Sequence, residues 1–206
     1  MTIEIKKSIK PVNYLDAIKT LEERVDKLNK NEANELIWIL EHPSTFTAGS
    51  SFNKSDILDK SINIIETSRG GKITWHGPGQ LICYLVINLN KRKRDIRKLI
   101  NVIEESIINS IKLYGIDTFS DRKNIGIWSK LKNEDKKIGA IGIKVRRWIA
   151  YHGFSININN DLSNYKKIIP CGIKDKGITT LKKIKNKNYN KLSELIIKNL
   201  ITNLRI

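Results

Sequence analysis

The spacing of hydrophobic residues changes several times along the chain, and each change marks an element. Thr2 to Ile9 alternates weakly, as an edge strand does. From Pro11 the apolar residues Tyr14, Ile18, Leu21, Val25 and Leu28 recur at steps of three and four, which predicts an amphipathic helix opened by Pro11 or Asn13. Leu36 to Leu40 (LIWIL) is a short apolar run that reads as a buried strand. Pro43 ends its pairing, and Ser44 to Ser51, with Gly49, reads as a loop. Asp56 to Leu58 suggests a helical turn and Ile62 to Ile65 a strand. Leu81 to Asn88 is apolar on both faces and rich in β-branched and aromatic residues, as a fully buried strand is. Asp95 caps a helix whose apolar face is Ile96, Leu99, Ile100, Ile103, Ile107 and Ile111, with Gly115 as its stop.

Ile125 to Ser129, Lys137 to Val145 and Trp148 to Ile158 then form a strand meander, joined by the charged turn Lys132 to Lys136 and the basic bend at Arg146 and Arg147. Leu162 to Ile168 reads as a short helix and Leu192 to Leu204 as a terminal amphipathic one. Most neighbouring strands lack a crossover helix between them, so the fold class is α+β: a mixed, largely antiparallel sheet flanked by helices. No repeat or linker divides residues 1–206, and one domain is expected.

Charge adds a partner class to this picture. The formal charge of +17 and pI near 9.8 point to an anionic partner: nucleic acid, an acidic membrane surface or an acidic protein. Basic runs at Lys91 to Arg94, Lys144 to Arg147 and Lys182 to Lys187 lack the interleaved aromatics of a single-strand-binding surface, and a solvated face explains each run as well. The two cysteines make no disulfide framework, and neither a signal-peptide pattern nor a membrane-length apolar run is present, so a soluble cytoplasmic protein is expected.

The chemistry concentrates between Ser68 and Gln80, SRGGKITWHGPGQ, where Gly70, Gly71, Gly77 and Gly79 allow close backbone approach to a ligand and Arg69 and His76 flank them. His42, His76 and His152 each sit in a Gly- or Pro-containing context, but no metal-ligand spacing occurs and no metal is expected. Cys83, within LICYLVIN, reads as an inert core thiol. Cys171 sits between proline and glycine near Lys166, Lys167 and Lys174; nearby cations favour thiolate, yet the residues alone leave nucleophile and structural cysteine both open. No Walker or G-x-G-x-x-G pattern argues for ATP or a dinucleotide.

Five segments together resemble the lipoyl(octanoyl) transferase family: EHPSTFTAG (Glu41 to Gly49), RGGKITWHGPGQ (Arg69 to Gln80), KIGAIGIKVRR (Lys137 to Arg147), HGFSININNDL (His152 to Leu162) and PCGIKDKGITTL (Pro170 to Leu181). The resemblance implies the fold of the biotin and lipoate protein ligase catalytic domain. It further implies transfer of an octanoyl or lipoyl group from octanoyl acyl carrier protein to a lysine of its acceptors, which are lipoyl domains of 2-oxoacid dehydrogenase E2 subunits and the glycine-cleavage H protein. Cys171 would carry the acyl group as a thioester, with Lys137 assisting and no cofactor needed.

By the same resemblance the substrate is contacted by Arg69, Gly70, Gly71, Lys72, Ile73, Thr74, Trp75 and His76, by Ala140, Ile141 and Gly142, and by Gly153, Phe154 and Ser155. Trp75 stands where the family usually has tyrosine, Ser68 where aspartate is common, and Lys144 where arginine is common. A monomer that binds neither nucleic acid nor membrane is expected. The alternatives are an ATP-dependent lipoate or biotin ligase of the same fold, which would not require Cys171, and a basic nucleic-acid-binding module.

Overall fold

The computed structural model describes residues 2–172 and 176–204, with Cys171 by its backbone alone. In chain order the elements are β1 (Ile3–Lys7), α1 (Tyr14–Asn29), β2 (Glu35–Leu40), β3 (Thr45–Ala48), β4 (Ile64–Glu66), β5 (Ile73–His76), β6 (Gln80–Asn88), α2 (Ile96–Lys112), β7 (Thr118–Ser120), β8 (Ile127–Leu131), β9 (Glu134–Arg146), β10 (Ile149–Asn157), α3 (Leu181–Ile184) and α4 (Leu192–Leu204), with short 3-10 turns between some of them.

Seven strands form one sheet in the order β1-β2-β6-β10-β9-β8-β7, and β4-β3-β5 form a second, smaller one. Only β1 with β2 and β3 with β4 run parallel, so the mixed, largely antiparallel α+β architecture read from the chain is the one found. Alternation along β6 distributes the core. Cys83, Leu85 and Ile87 pack on one face with α2 and α4, while Ile82, Tyr84 and Val86 pack on the other with α1. Helix α1 starts where Asn13 Oδ1 accepts from the Leu15 N–H, and it buries Tyr14, Ala17, Leu21, Val25 and Leu28. Each of the buried Leu21, Val25 and Leu28 side chains stabilises the fold by about 1.5–3 kcal/mol. Asp95 caps α2 by accepting from the Lys98 N–H.

Four readings of the sequence need correction. The segment Ser44 to Ser51 contains β3, and the glycine-rich stretch contains β5; these two strands are short, Thr- and aromatic-rich, and bounded by turn residues that hide them. The basic bend lies at Arg147 and Trp148, both at positive φ (53° and 59°), one residue later than expected. The charged turn is likewise confined to Lys132 and Asn133 (52° and 64°), so β9 already begins at Glu134.

Candidate functional site

A cavity of about 370 Å³ opens where strand pairing stops. The β8–β9 ladder ends at the Ile127–Gly139 pair, so beyond it β9 is paired only with β10 among the described strands. The Arg69–Lys72 loop lies against that unpaired edge: a Cβ on Gly70 would stand 2.9 Å from the Ile143 carbonyl, and one on Gly142 3.0 Å from that of Gly70. Glycine at both positions lets loop and strand meet.

The structure brings most of the sequence-nominated residues to this cavity. Arg69, Gly70, Gly71, Lys72, Thr74 and His76 line it from the loop and β5; Lys137, Ala140, Ile141 and Gly142 line it from β9, and Gly153, Phe154 and Ser155 from β10. Ile73 and Trp75 do not. They are the other-face residues of β5 and pack with Phe46, Tyr165 and Ile168, the Trp75 indole N–H donating to Ser44 Oγ at 2.9 Å. Residues not singled out as site members complete the lining: Ile96, Ile100 and Ile125 make an apolar wall, and Tyr14, Tyr84 and His152 a polar aromatic floor. Periodicity assigns Ile96 and Ile100 to the helix's core-facing stripe and Ile125 to a strand, and only the structure shows Ile96 and Ile125 partly open to solvent, 37% and 47% exposed.

Lys137 is 6% exposed. Its Nζ donates to the Ile125 carbonyl at 2.9 Å and lies 5.3 Å from the centre of the Trp128 indole. A side chain at Gly126 would collide with the Lys137 stem, 2.4 Å from Cε. The Lys137 backbone joins a distant segment: its N–H donates to Gly177 O, and Thr179 N–H donates to Lys137 O, both at 2.9 Å. Lys176 reinforces that junction through ion pairs with Asp121 (3.5 Å) and Asp135 (3.6 Å) while its ammonium also lies over Trp128, 4.9 Å from the ring centre. Upstream, the backbone of Cys171 belongs to the 3-10 turn Pro170–Gly172, closed by the Gly172 N–H donating to Ile169 O at 3.1 Å. The Cys171 side chain and Lys174 lie outside the described residues. Cys83 is fully buried, and burial pushes its thiol far above the ordinary range.

The three histidines separate by their partners. His42 is structural: its Nδ1–H donates to the Val12 carbonyl at 2.6 Å and its Nε2 accepts from the Tyr84 hydroxyl at 2.7 Å. His76 donates from Nδ1 to Gln80 Oε1 at 2.8 Å. Burial, then the neighbouring charges of His42 and Arg69, hold its pKa at about 3. His152 has positive φ (67°), which swings its ring off the face used by Ala150, Phe154 and Ile156 and onto that of Tyr84 and Tyr151. Both its ring nitrogens are buried without a hydrogen-bond partner among the described residues, and burial followed by the charges of Arg69 and Lys144 also puts its pKa at about 3. Arg69 pins the loop to β3, donating to Thr47 O and Oγ1 at 2.9 Å each, while its Nε is buried with no partner among the described residues. Two of the positions that depart from the family pattern touch each other, the Lys144 ammonium donating to Ser68 Oγ.

A largely apolar cavity with a buried lysine in its wall is suited to holding an apolar chain with a reactive polar head. Among the described residues no cluster of His, Cys, Asp and Glu could hold a metal ion, and no helix is long and apolar enough to cross a membrane.

The architecture is that of the lipoate ligase catalytic domain. The putative lipoate protein ligase of T. acidophilum with bound lipoic acid superposes with a TM-score of 0.71 at 15% identity, covering 100% of this chain and 87% of that one. A lipoate-protein ligase A bound with ATP superposes with a TM-score of 0.74 at 15% identity, covering 100% and 87%. At such identity these likenesses speak for the fold alone. Residues 13–201 match the model of the lipoyl protein ligase A/B catalytic domain. The octanoyltransferase of Wolbachia pipientis wMel is 43% identical over 174 residues (84% of this chain, 85% of that protein), and that of Novosphingobium aromaticivorans is 39% identical over 181 residues (87% and 82%). The chain belongs to the octanoyltransferase family of acyltransferases, within the lipoyl protein ligase A/B catalytic domains.

Proposed function

We propose that this chain moves an octanoyl or lipoyl group from acyl carrier protein to a specific lysine of a lipoyl domain, through a thioester on Cys171. The acceptors in this reading are the lipoyl domains of 2-oxoacid dehydrogenase E2 subunits and the glycine-cleavage H protein. One of the solved relatives in fold is described as a bi-partite lipoate protein ligase with its E2 lipoyl domain, which supports that acceptor class. The observation that carries the reading is the backbone junction of Lys137 with Gly177 and Thr179, which ties the cavity's buried ammonium to the segment that follows Cys171.

In this mechanism the acyl chain lies along Ile96, Ile100, Ile125, Ile141 and Phe154, each buried methylene contributing about 0.8 kcal/mol to binding. The Cys171 thiolate exchanges one thioester for another of similar energy, and the acceptor amine then forms a more stable amide, so no nucleotide is consumed. Lys137 holds the thiolate by charge, gives its proton to the departing carrier thiol and takes one from the incoming lysine.

The test is incubation with octanoyl acyl carrier protein followed by intact-mass analysis and peptide mapping. The expected result is a single octanoyl adduct on Cys171, abolished in Cys171→Ser and retained in Cys83→Ser. An adduct on Cys83, or acceptor modification that depends on free octanoate and ATP, would overturn the reading, the latter in favour of a ligase.

A further inference from the structure

We infer that Lys72 is a second cation at the acyl-transfer centre, poised to pair with the oxyanion formed when the Cys171 thiolate adds to a thioester carbonyl. This rests on the reading above for its nucleophile.

Lys72 lines the cavity from the glycine-rich loop. The far end of its side chain crosses to the turn that carries Cys171. A Cβ at Gly172 would stand 2.3 Å from Lys72 Nζ, 2.6 Å from its Cδ and 2.9 Å from its Cε. The stem therefore lies directly on the backbone of the residue after Cys171, in space that any side chain there would fill. Gly172 also has φ +68°, a conformation that glycine adopts without strain.

The surroundings of the charge matter as much as its position. Lys176 is paired with two aspartates, Lys136 with Glu134, and Lys137 donates to a carbonyl. Lys72 has no ion pair and no side-chain hydrogen bond among the described residues, although it is half-buried. An ammonium with no counter-charge among the described residues, set beside the reacting backbone, is suited to a negative charge that appears only during the reaction.

The thiolate electron pair forms the new carbon–sulfur bond while the carbonyl π pair moves to oxygen, giving an alkoxide that Lys72 pairs with while keeping its proton. The alkoxide then re-forms the carbonyl, the bond to the carrier sulfur breaks, and that thiolate takes its proton from Lys137. Lys72 is thus a fixed charge and Lys137 the proton carrier.

The measurement is single-turnover acylation of Cys171 by a small octanoyl thioester lacking both carrier protein and phosphate, read by mass, with melting temperatures recorded for every variant. Lys72→Gln is expected to slow acylation by about 100-fold, with KM little changed. Lys72→Arg is expected to recover most of the rate, since guanidinium keeps the charge. Gly172→Ala should slow the step with the lysine intact, because the added methyl displaces the ammonium. Wild-type acylation that persists in Lys72→Gln overturns the assignment of Lys72 alone. A slowing seen only with the phosphopantetheine-bearing carrier also overturns it, making Lys72 a phosphate contact. A wild-type protein that takes no acyl group at Cys171 overturns the thioester reading, and this inference with it.

Discussion

His76 and His152 sit at the cavity floor with pKa values of about 3, so both rings are neutral throughout the physiological range. An unfolded histidine titrates near 6.5, so between about pH 6.5 and 3 the unfolded chain binds more protons than the folded one. Stability is therefore fully present above pH 6.5 and falls with acidification, at about 1.4 kcal/mol per pH unit for each histidine. Melting temperature measured between pH 6.5 and 5, above the carboxylate range, should fall for the wild type and fall less steeply for His152→Asn. A pH-independent melting temperature across that window would contradict the buried neutral state.

Lys137 carries a second residue-level prediction. Lys137→Met should reduce acyl transfer by about 100-fold or more and move iodoacetamide alkylation of Cys171 to higher pH, whereas Lys137→Arg should keep the alkylation profile and lose turnover. Lys144→Met, which alters the contact with Ser68 instead, is the control. At this scale the motif residues were legible because their types and spacing are unusual. The placement of Lys72 on Gly172 and the flipped ring of His152 were not, since each depends on a backbone dihedral and a contact more than two residues away in sequence.

At the scale of elements, Trp128 and Gly153 show what pairing alone does. Trp128 is fully buried on β8, donates from its indole N–H to Asn124 O at 2.9 Å, and presents its ring to both Lys137 and Lys176. Trp128→Leu should therefore leave the fold cooperative but loosen the 124–126 loop, lowering turnover and altering the pH profile of Cys171 alkylation in the same direction as Lys137→Met. An unchanged profile would make the tryptophan a packing residue only. On β10, a Cβ at Gly153 would stand 2.0 Å from the Cys83 carbonyl oxygen of β6. Gly153→Ala should destabilise the protein by about 3 kcal/mol in urea unfolding, because the obstacle is backbone rather than a flexible side chain.

The long helices α1, α2 and α4 were legible from their three-and-four periodicity, and the central strands β6 and β10 from continuous runs of apolar, β-branched and aromatic residues. Of the second sheet only β4 was, as the strand expected at Ile62 to Ile65; β3 and β5 were not. Strands of four residues such as β3 and β5 carry too few alternations to define a period, and their stability comes from neighbours remote in sequence.

For the whole molecule, the formal charge of +17 is the dominant long-range property. If an acidic carrier is steered by it, the KM for octanoyl acyl carrier protein should rise strongly between low and physiological salt while kcat changes less. The KM for a small uncharged thioester should stay flat over the same range, and a flat response from the carrier too would remove charge steering.

The strand order of the larger sheet also has a consequence in time. The central strand β6 is flanked by β2, made earlier, and by β10, which begins about sixty residues later; at a synthesis rate of about 5–20 residues per second that is a wait of roughly 3–12 s. Throughout it a strand that is apolar on both faces has one edge without a partner. An unpaired edge of that kind favours aggregation of the nascent chain, so the soluble yield from translation in a purified system is expected to rise when a ribosome-associated chaperone is added, and an unchanged yield would contradict it.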